Sequence, residues 1–153
     1  MSKLMYLMPL WSGCEEHLIK SLQVVQNKAA RAITKLNIYT STRVLLTACG
    51  WMSVRQLMVF HSLVLLQKTR ENEAPVYLYR KISSGGDFCY NTRQATTGSI
   101  RQVPGPKKEL SRQGWCWRSV DLYNKLPTDL KLERKLTNFK KRLKDWVVLN
   151  III

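Results

Sequence analysis

The sequence predicts a mainly α protein: a small helical bundle with a loop-rich connector or short β-hairpin around 88–108. Three observations carry this prediction. Apolar residues recur at steps of three and four through most of the chain, the period of a helix with one covered face. Helix-start and helix-stop residues stand at the ends of those runs. Finally, Gly, Pro, Ser and Thr gather in one stretch between Ser83 and Lys108, where regular structure gives way. A length of 153 residues allows one domain with a real core or two small subdomains.

The first helix is expected from Glu15 to Leu36, with Leu18, Leu22, Val25, Ala29, Ile33 and Leu36 on its buried face. Lys20, Gln23, Asn27, Arg31 and Lys35 then fall on the opposite, solvated face. A short helix from Ser41 to Cys49 is closed by Gly50, whose lack of a Cβ suits a left-handed cap. Ser53 and Gln56 form a capping box for a third helix that runs to Arg70. Its stripe of Val54, Leu57, Met58, His61, Val64 and Leu65 is supplemented by Phe60 and Leu63 off the stripe, so this helix is apolar around most of its girth and is the most enclosed element.

Pro75 sits at the first turn of a brief helix through Ile82, and "SSGGD" at 83–87 ends it. After the connector a helix resumes from Leu110 to Asn124, anchored by Trp115, Val120 and Tyr123 and broken at Pro127. The last helix spans Thr137 to Leu149. Phe139, Leu143, Trp146 and Val147 form its buried stripe, while Lys140, Lys141, Arg142 and Lys144 crowd its other surface. The chain divides accordingly into 1–82, 83–109 and 110–153.

Charge is the unusual feature: 25 Lys plus Arg against 10 Asp plus Glu give a formal +15. Residues 1–75 hold nine basic and four acidic residues, and 76–153 hold sixteen and six, so the positive field is concentrated in the second half. Such a balance points to polyanionic partners, with RNA or DNA ahead of an anionic membrane surface. No stretch approaches the roughly 18 apolar residues of a membrane span. The apolar run before Cys14 contains Pro9 and Trp11 and leads directly into a charged helix, which argues against a secretory signal. Cys14, Cys49, Cys89 and Cys116 form no C-x-x-C pair and read as reduced thiols of an intracellular protein of the cytoplasm or nucleus. Cys14 and His17 have a ligand-like spacing, but no second pair exists to complete a zinc site.

Catalysis is not expected. Asp87, Asp121, Asp129 and Asp145 never adjoin, only His17 and His61 could serve as imidazole bases, and no phosphate-cradling glycine loop occurs. No metal or other cofactor is expected. "GWCWRS" at 114–119 interleaves aromatic and basic residues as single-strand binders do, although two tryptophans at the start of an amphipathic helix more often fill a core. "KKRLK" at 140–144 reads as a solvated helix face, a phosphate contact or a nuclear import signal, and only the first needs no further assumption.

Taken in order, "MPLWSGC" (8–14), "LQVVQNKAARAIT" (22–34), "STRVLLTACGWMSVRQLMVFHSLVLLQK" (41–68), "PVYL" (75–78), "TRQATTGSIR" (92–101), "VDLYNKLPTDL" (120–130) and "LTNFKKRLKDW" (136–146) give nearly the whole chain a resemblance to one family. It resembles the C-terminal segment, downstream of the catalytic palm, of non-LTR retrotransposon reverse transcriptases. The resemblance implies a thumb-like helical subdomain over 1–82, a connector, and a basic C-terminal helical segment. It also implies a fragment without the paired palm aspartates, hence an accessory role beside an upstream palm domain. Lys28, Arg31 and Lys35 match the family's "QNKAARAI" helix, for which contact with template, primer or element RNA is implied. With Arg43, Arg93, Arg101, Arg118, Lys140, Lys141, Arg142 and Lys144 they form the expected set of phosphate-contacting cations. The competing expectation is a structural or protein-interaction helical module that packs on a polymerase domain and has no nucleic-acid role of its own.

Overall fold

The computed structural model describes Met5, residues 8–11, 13–71, 73–83, Ile100 and 114–151. Every regular element among these residues is a helix: α1 (Met8–Trp11), α2 (Glu16–Thr34), α3 (Thr42–Cys49), α4 (Val54–Arg70), α5 (Val76–Ser83), α6 (Trp115–Asn124), α7 (Thr128–Lys131) and α8 (Leu136–Asn150). The connector or hairpin expected around 88–108 lies outside the described residues apart from Ile100. The Asn124 side chain accepts from the Ile100 N–H at 2.9 Å and donates to the Ile100 carbonyl at 2.8 Å, fixing that point of the chain against α6.

α4 is the hub, as its all-round apolarity predicts. It packs against α1, α2, α5, α6 and α8. Two core clusters share it. Leu63, Val64 and Leu66 meet Ile82, Val120, Tyr123, Leu126, Leu130, Phe139, Leu143 and Val147 around its second half, while Val54, Leu57 and Met58 meet Met8 and Ile19 around its first turns. α1 and α2 therefore bury apolar residues on the first turns of α4, and Ile82 of α5 joins α6–α8 on its second half. No single helix among the described residues is long and apolar enough to cross a membrane. α3 and α4 together are, but they meet at a 56° bend.

Local signals place the ends of α3 and α4. Gly50 closes α3 at φ 64, where a Cβ would be strained. At the start of α4 the Gln56 N–H donates to Ser53 Oγ (3.2 Å), and the Ser53 N–H donates to Gln56 Oε1 (3.0 Å). The far end of α4 is held by polar groups. Gln67 Nε2 donates to the Glu133 carbonyl at 3.0 Å, and the Tyr123 hydroxyl donates to the Lys131 carbonyl at 3.1 Å. Arg70 donates to the Tyr123 hydroxyl and lies 5.2 Å from the centre of its ring. Burial pushes the Tyr123 hydroxyl above its ordinary range, against the opposing pull of Arg70.

α2 departs from the sequence-based expectation. Ile19, Gln26, Asn27 and Ala30 are its buried residues, whereas Leu18, Val25, Ala29, Ile33 and Leu36, expected in the core, are exposed. Gln23 and Arg31, expected outside, are half-buried. At 3.6 residues per turn the covered arc is centred about 100° round the helix from the apolar stripe. The reason lies in polar groups presented to α2 by the start of α3 and by the backbone of the α3–α4 junction. Gln23 Oε1 accepts from the Val54 N–H at 2.9 Å, Gln26 Nε2 donates to the Met52 carbonyl at 2.8 Å, and Asn27 Nδ2 donates to Thr42 Oγ1 at 3.1 Å. Gln23 Nε2 ties the three amides together, donating to Gln26 Oε1 and Asn27 Oδ1 at 2.9 Å each. A leucine on this face would leave those junction groups buried and unpaired.

This orientation makes a contrast that urea unfolding resolves. Gln23→Leu is expected to cost about 2–4 kcal/mol by stranding the Val54 N–H and two neighbouring amides. Ile33→Ser, at a side chain 65% exposed, is expected to change stability by less than about 0.5 kcal/mol. The reverse order of effects would mean that α2 packs through its apolar stripe.

Candidate nucleic-acid interface

α8 presents the densest array of cations. Phe139, Leu143 and Val147, fully buried at i, i+4 and i+8, clamp it onto α4, with Leu136 and Trp146 packed at the margin of the same cluster. This matches the expected stripe, and it turns the intervening positions outward. Lys140 and Lys144 stand one turn apart along one edge of the stripe, and Lys141 lies beyond them on the outer surface. None of the three has an acidic partner within 4 Å among the described residues. Arg142 falls on the other edge, where it lies 3.9 Å from the Glu133 carboxylate and donates to the Asp129 carbonyl at 3.5 Å. Its charge is partly neutralised, and it links α8 to α7 and the turn after it.

The remaining expected cations are distributed over other elements. Lys28 is exposed on α2. Arg31, expected to face away from the core, is instead half-buried, and its Nε is enclosed without a hydrogen-bond partner, because the covered face of α2 is rotated toward it. Lys35 is exposed just past the helix, in the left-handed conformation at φ 54, with its N–H donating to the Arg31 carbonyl at 2.8 Å. Arg93 and Arg101 lie outside the described residues. The structure thus groups the α8 lysines and separates them in sequence and element from the α2 pair.

Arg43, in the first turn of α3, lines a groove of about 550 Å³ with Gln23, Thr42, Thr47, Trp51 and the Val148–Leu149 end of α8. Arg118 on α6 lines a cavity of about 470 Å³ with Glu16, Arg55, Trp117 and Asp121. The second space is of mixed sign: Glu16 pairs with Arg55, and Asp121 accepts from Lys125 at 2.7 Å. Trp51 and Arg55 were not among the residues the sequence singled out. A legible signal existed for Arg55: a cation in the first turn of a helix opposes the helix dipole and calls for a nearby acid, here Glu16. Trp51 follows a cap glycine directly, and its N–H donates to the Leu46 carbonyl at 2.9 Å, a cap after which an apolar residue commonly packs on the helix.

Cys14, Cys49 and Cys116 are half-buried. His17 contacts Glu15 at 3.1 Å on the exposed start of α2. No group of three or more His, Cys, Asp or Glu side chains among the described residues comes together as a metal ligand set.

His61 sits half-buried on α4, with its ring edge-to-face with Phe60 at 5.5 Å. Burial lowers its pKa below the ordinary 6.5, and the Lys140 charge lowers it further. Comparison with protein-family models, curated proteins and solved structures yields no match for this chain.

Because the folded state disfavours the His61 proton, the unfolded chain binds more protons there, and the stabilisation is complete above about pH 6.5. It is lost as pH falls through the folded-state value. Thermal melts at pH 7.5 and pH 5.5 are expected to show a drop for the native chain that His61→Phe reduces. Lys140→Ala is expected to move the His61 titration, read by NMR, back toward its ordinary range. An unmoved titration would place Lys140 away from His61.

Proposed function

We propose that this chain is a non-catalytic accessory segment, of the kind found downstream of the palm in non-LTR retrotransposon reverse transcriptases, that holds RNA or DNA by its phosphate backbone. The observation that carries the reading is the outward row of Lys140, Lys141 and Lys144 on a helix clamped by a fully buried stripe. A rigid helix presents its charges without a large ordering cost on binding, and the +15 of the whole chain supplies long-range attraction for a polyanion. Lys28, Lys35, Arg43 and Arg118 add peripheral contacts.

The chemistry of these groups favours phosphate over base recognition. Three of the four cations on α8 are lysines, point charges without the planar fork that reads guanine edges, and the one arginine there is engaged by Glu133 and Asp129. Binding is then insensitive to sequence and driven by counterion release. Contact with six to eight phosphates gives log affinity against log salt a slope of about −5 to −7 on duplex.

Removing three positive charges makes a specific demand on that slope. The triple variant Lys140→Gln, Lys141→Gln, Lys144→Gln is expected to bind a duplex with a slope shallower by about 2–3 and with helicity unchanged by circular dichroism. Arg142→Gln is expected to move the slope by less than any one of the lysines. Salt-independent binding by the native chain, or an unaltered slope in the triple variant, refutes the reading.

A further inference from the structure

The apolar stripe that α2 turns away from the core is a surface feature left without a role. Leu18, Val25 and Ile33 are 47%, 56% and 65% exposed, with exposed Ala29 between them and half-buried Leu22 beside them. From Leu18 to Ile33 the stripe runs about 22 Å, or four turns, at 1.5 Å per residue. The steps 18, 22, 25, 29, 32 alternate four and three, the spacing of a seam that receives a second helix. Small Ala29 and Ala32 toward its C-terminal end permit close backbone approach there. Soluble chains rarely leave a continuous apolar strip of this kind in water unless something docks there.

The border of the strip limits what can cover it. One side adjoins the body of the protein; the open side carries Lys28, and exposed Lys35 follows at its end. With +15 on each chain, a second copy would bring like charges together along the contact. A lipid surface is disfavoured by residue type, because the α2 strip has no Trp or Phe to seat at an interface. We infer that the Leu18–Ile33 face of α2 docks an amphipathic helix of a partner protein, about four turns long, whose apolar seam is bordered by Glu or Asp. This contact is independent of phosphate binding through α8.

The test uses the full chain and three synthetic 18-residue helical peptides: one with a Leu/Ala seam bordered by Glu, one with the same seam bordered by Lys, and one with the Glu-bordered composition scrambled. Calorimetric titration is expected to show binding of the Glu-bordered peptide and binding at least about tenfold weaker for the other two. The surface variant Val25→Ser with Ile33→Ser is expected to weaken the Glu-bordered complex by about tenfold or more while keeping its melting temperature and its salt slope on duplex DNA. Lys28→Glu is expected to narrow the difference between the Glu- and Lys-bordered peptides. Equal affinity for the Glu-bordered and scrambled peptides overturns the inference. So does sedimentation of a dimer that the serine variant dissolves, which assigns the face to a second copy, or serine-sensitive binding to phosphatidylserine vesicles without peptide binding, which assigns it to lipid. An intact DNA salt slope beside a failed peptide titration separates this outcome from failure of the nucleic-acid reading.

Discussion

The arrangement of the molecule depends on how the backbone groups at the start of α4 find hydrogen-bond partners. A helix start leaves several N–H groups without intrahelical acceptors, and here that start is packed against α1 and α2. Ser53 and Gln56 satisfy two of the groups locally, and Gln23 reaches across from α2 to satisfy the Val54 N–H. Gln56 has a second use: its Nε2 donates to the Ile151 carbonyl at 3.0 Å, so the end of α8 is tied to the same point. One capping residue thereby links the beginning of the central helix to the end of the last one. The orientation of α2 follows, since only its amide-bearing face can serve the junction.

Much of this was legible in the residues, and the division between legible and illegible is physical. Caps, helix extents and the stripe of α8 depend on neighbours within four positions, so the local pattern carries them. The face of α2 depends on groups 26 and 31 positions away along the chain, in the Gln26–Met52 and Gln23–Val54 bonds. Hydrophobic periodicity assumes that the greasiest face is the covered one; it has no means of registering an unpaired carbonyl in a distant loop. The same blindness applies to Arg31, placed outside by periodicity and half-enclosed in the fold. Arg142 looked equivalent to its lysine neighbours because Glu133 and Asp129 precede the helix and come into reach only once the α7–α8 turn is made.

The exposed chemistry is correspondingly segregated. α8 gives its Phe139–Leu143–Val147 stripe to the core and its charges to solvent, whereas α2 buries Gln26 and Asn27 beside Ile19 and Ala30 and keeps its main apolar stripe outside. The first arrangement makes a surface suited to a hydrated polyanion, which is recognised through charge and releases counterions. The second makes a surface suited to a dry contact, where area and shape dominate. Two partners of opposite physical character can then be held on separate helices, with Lys28 and Lys35 at the margin of α2 the side chains open to both.

The dual tenancy of α4 also has a consequence in time. Its second half is covered by α6 and α8, elements that follow it by dozens of residues. Leu136 follows Arg70 by 66 positions, which at typical synthesis rates of about 5–20 residues per second take about 3–13 s to appear. Until then the local cover for that half of α4 comes from Ile82 of α5, and loop closure over this distance must precede the burial that α8 brings. Closure of the second core cluster therefore waits on the last helix, whereas the contacts of α4 with α1 and α2 draw only on residues that precede it.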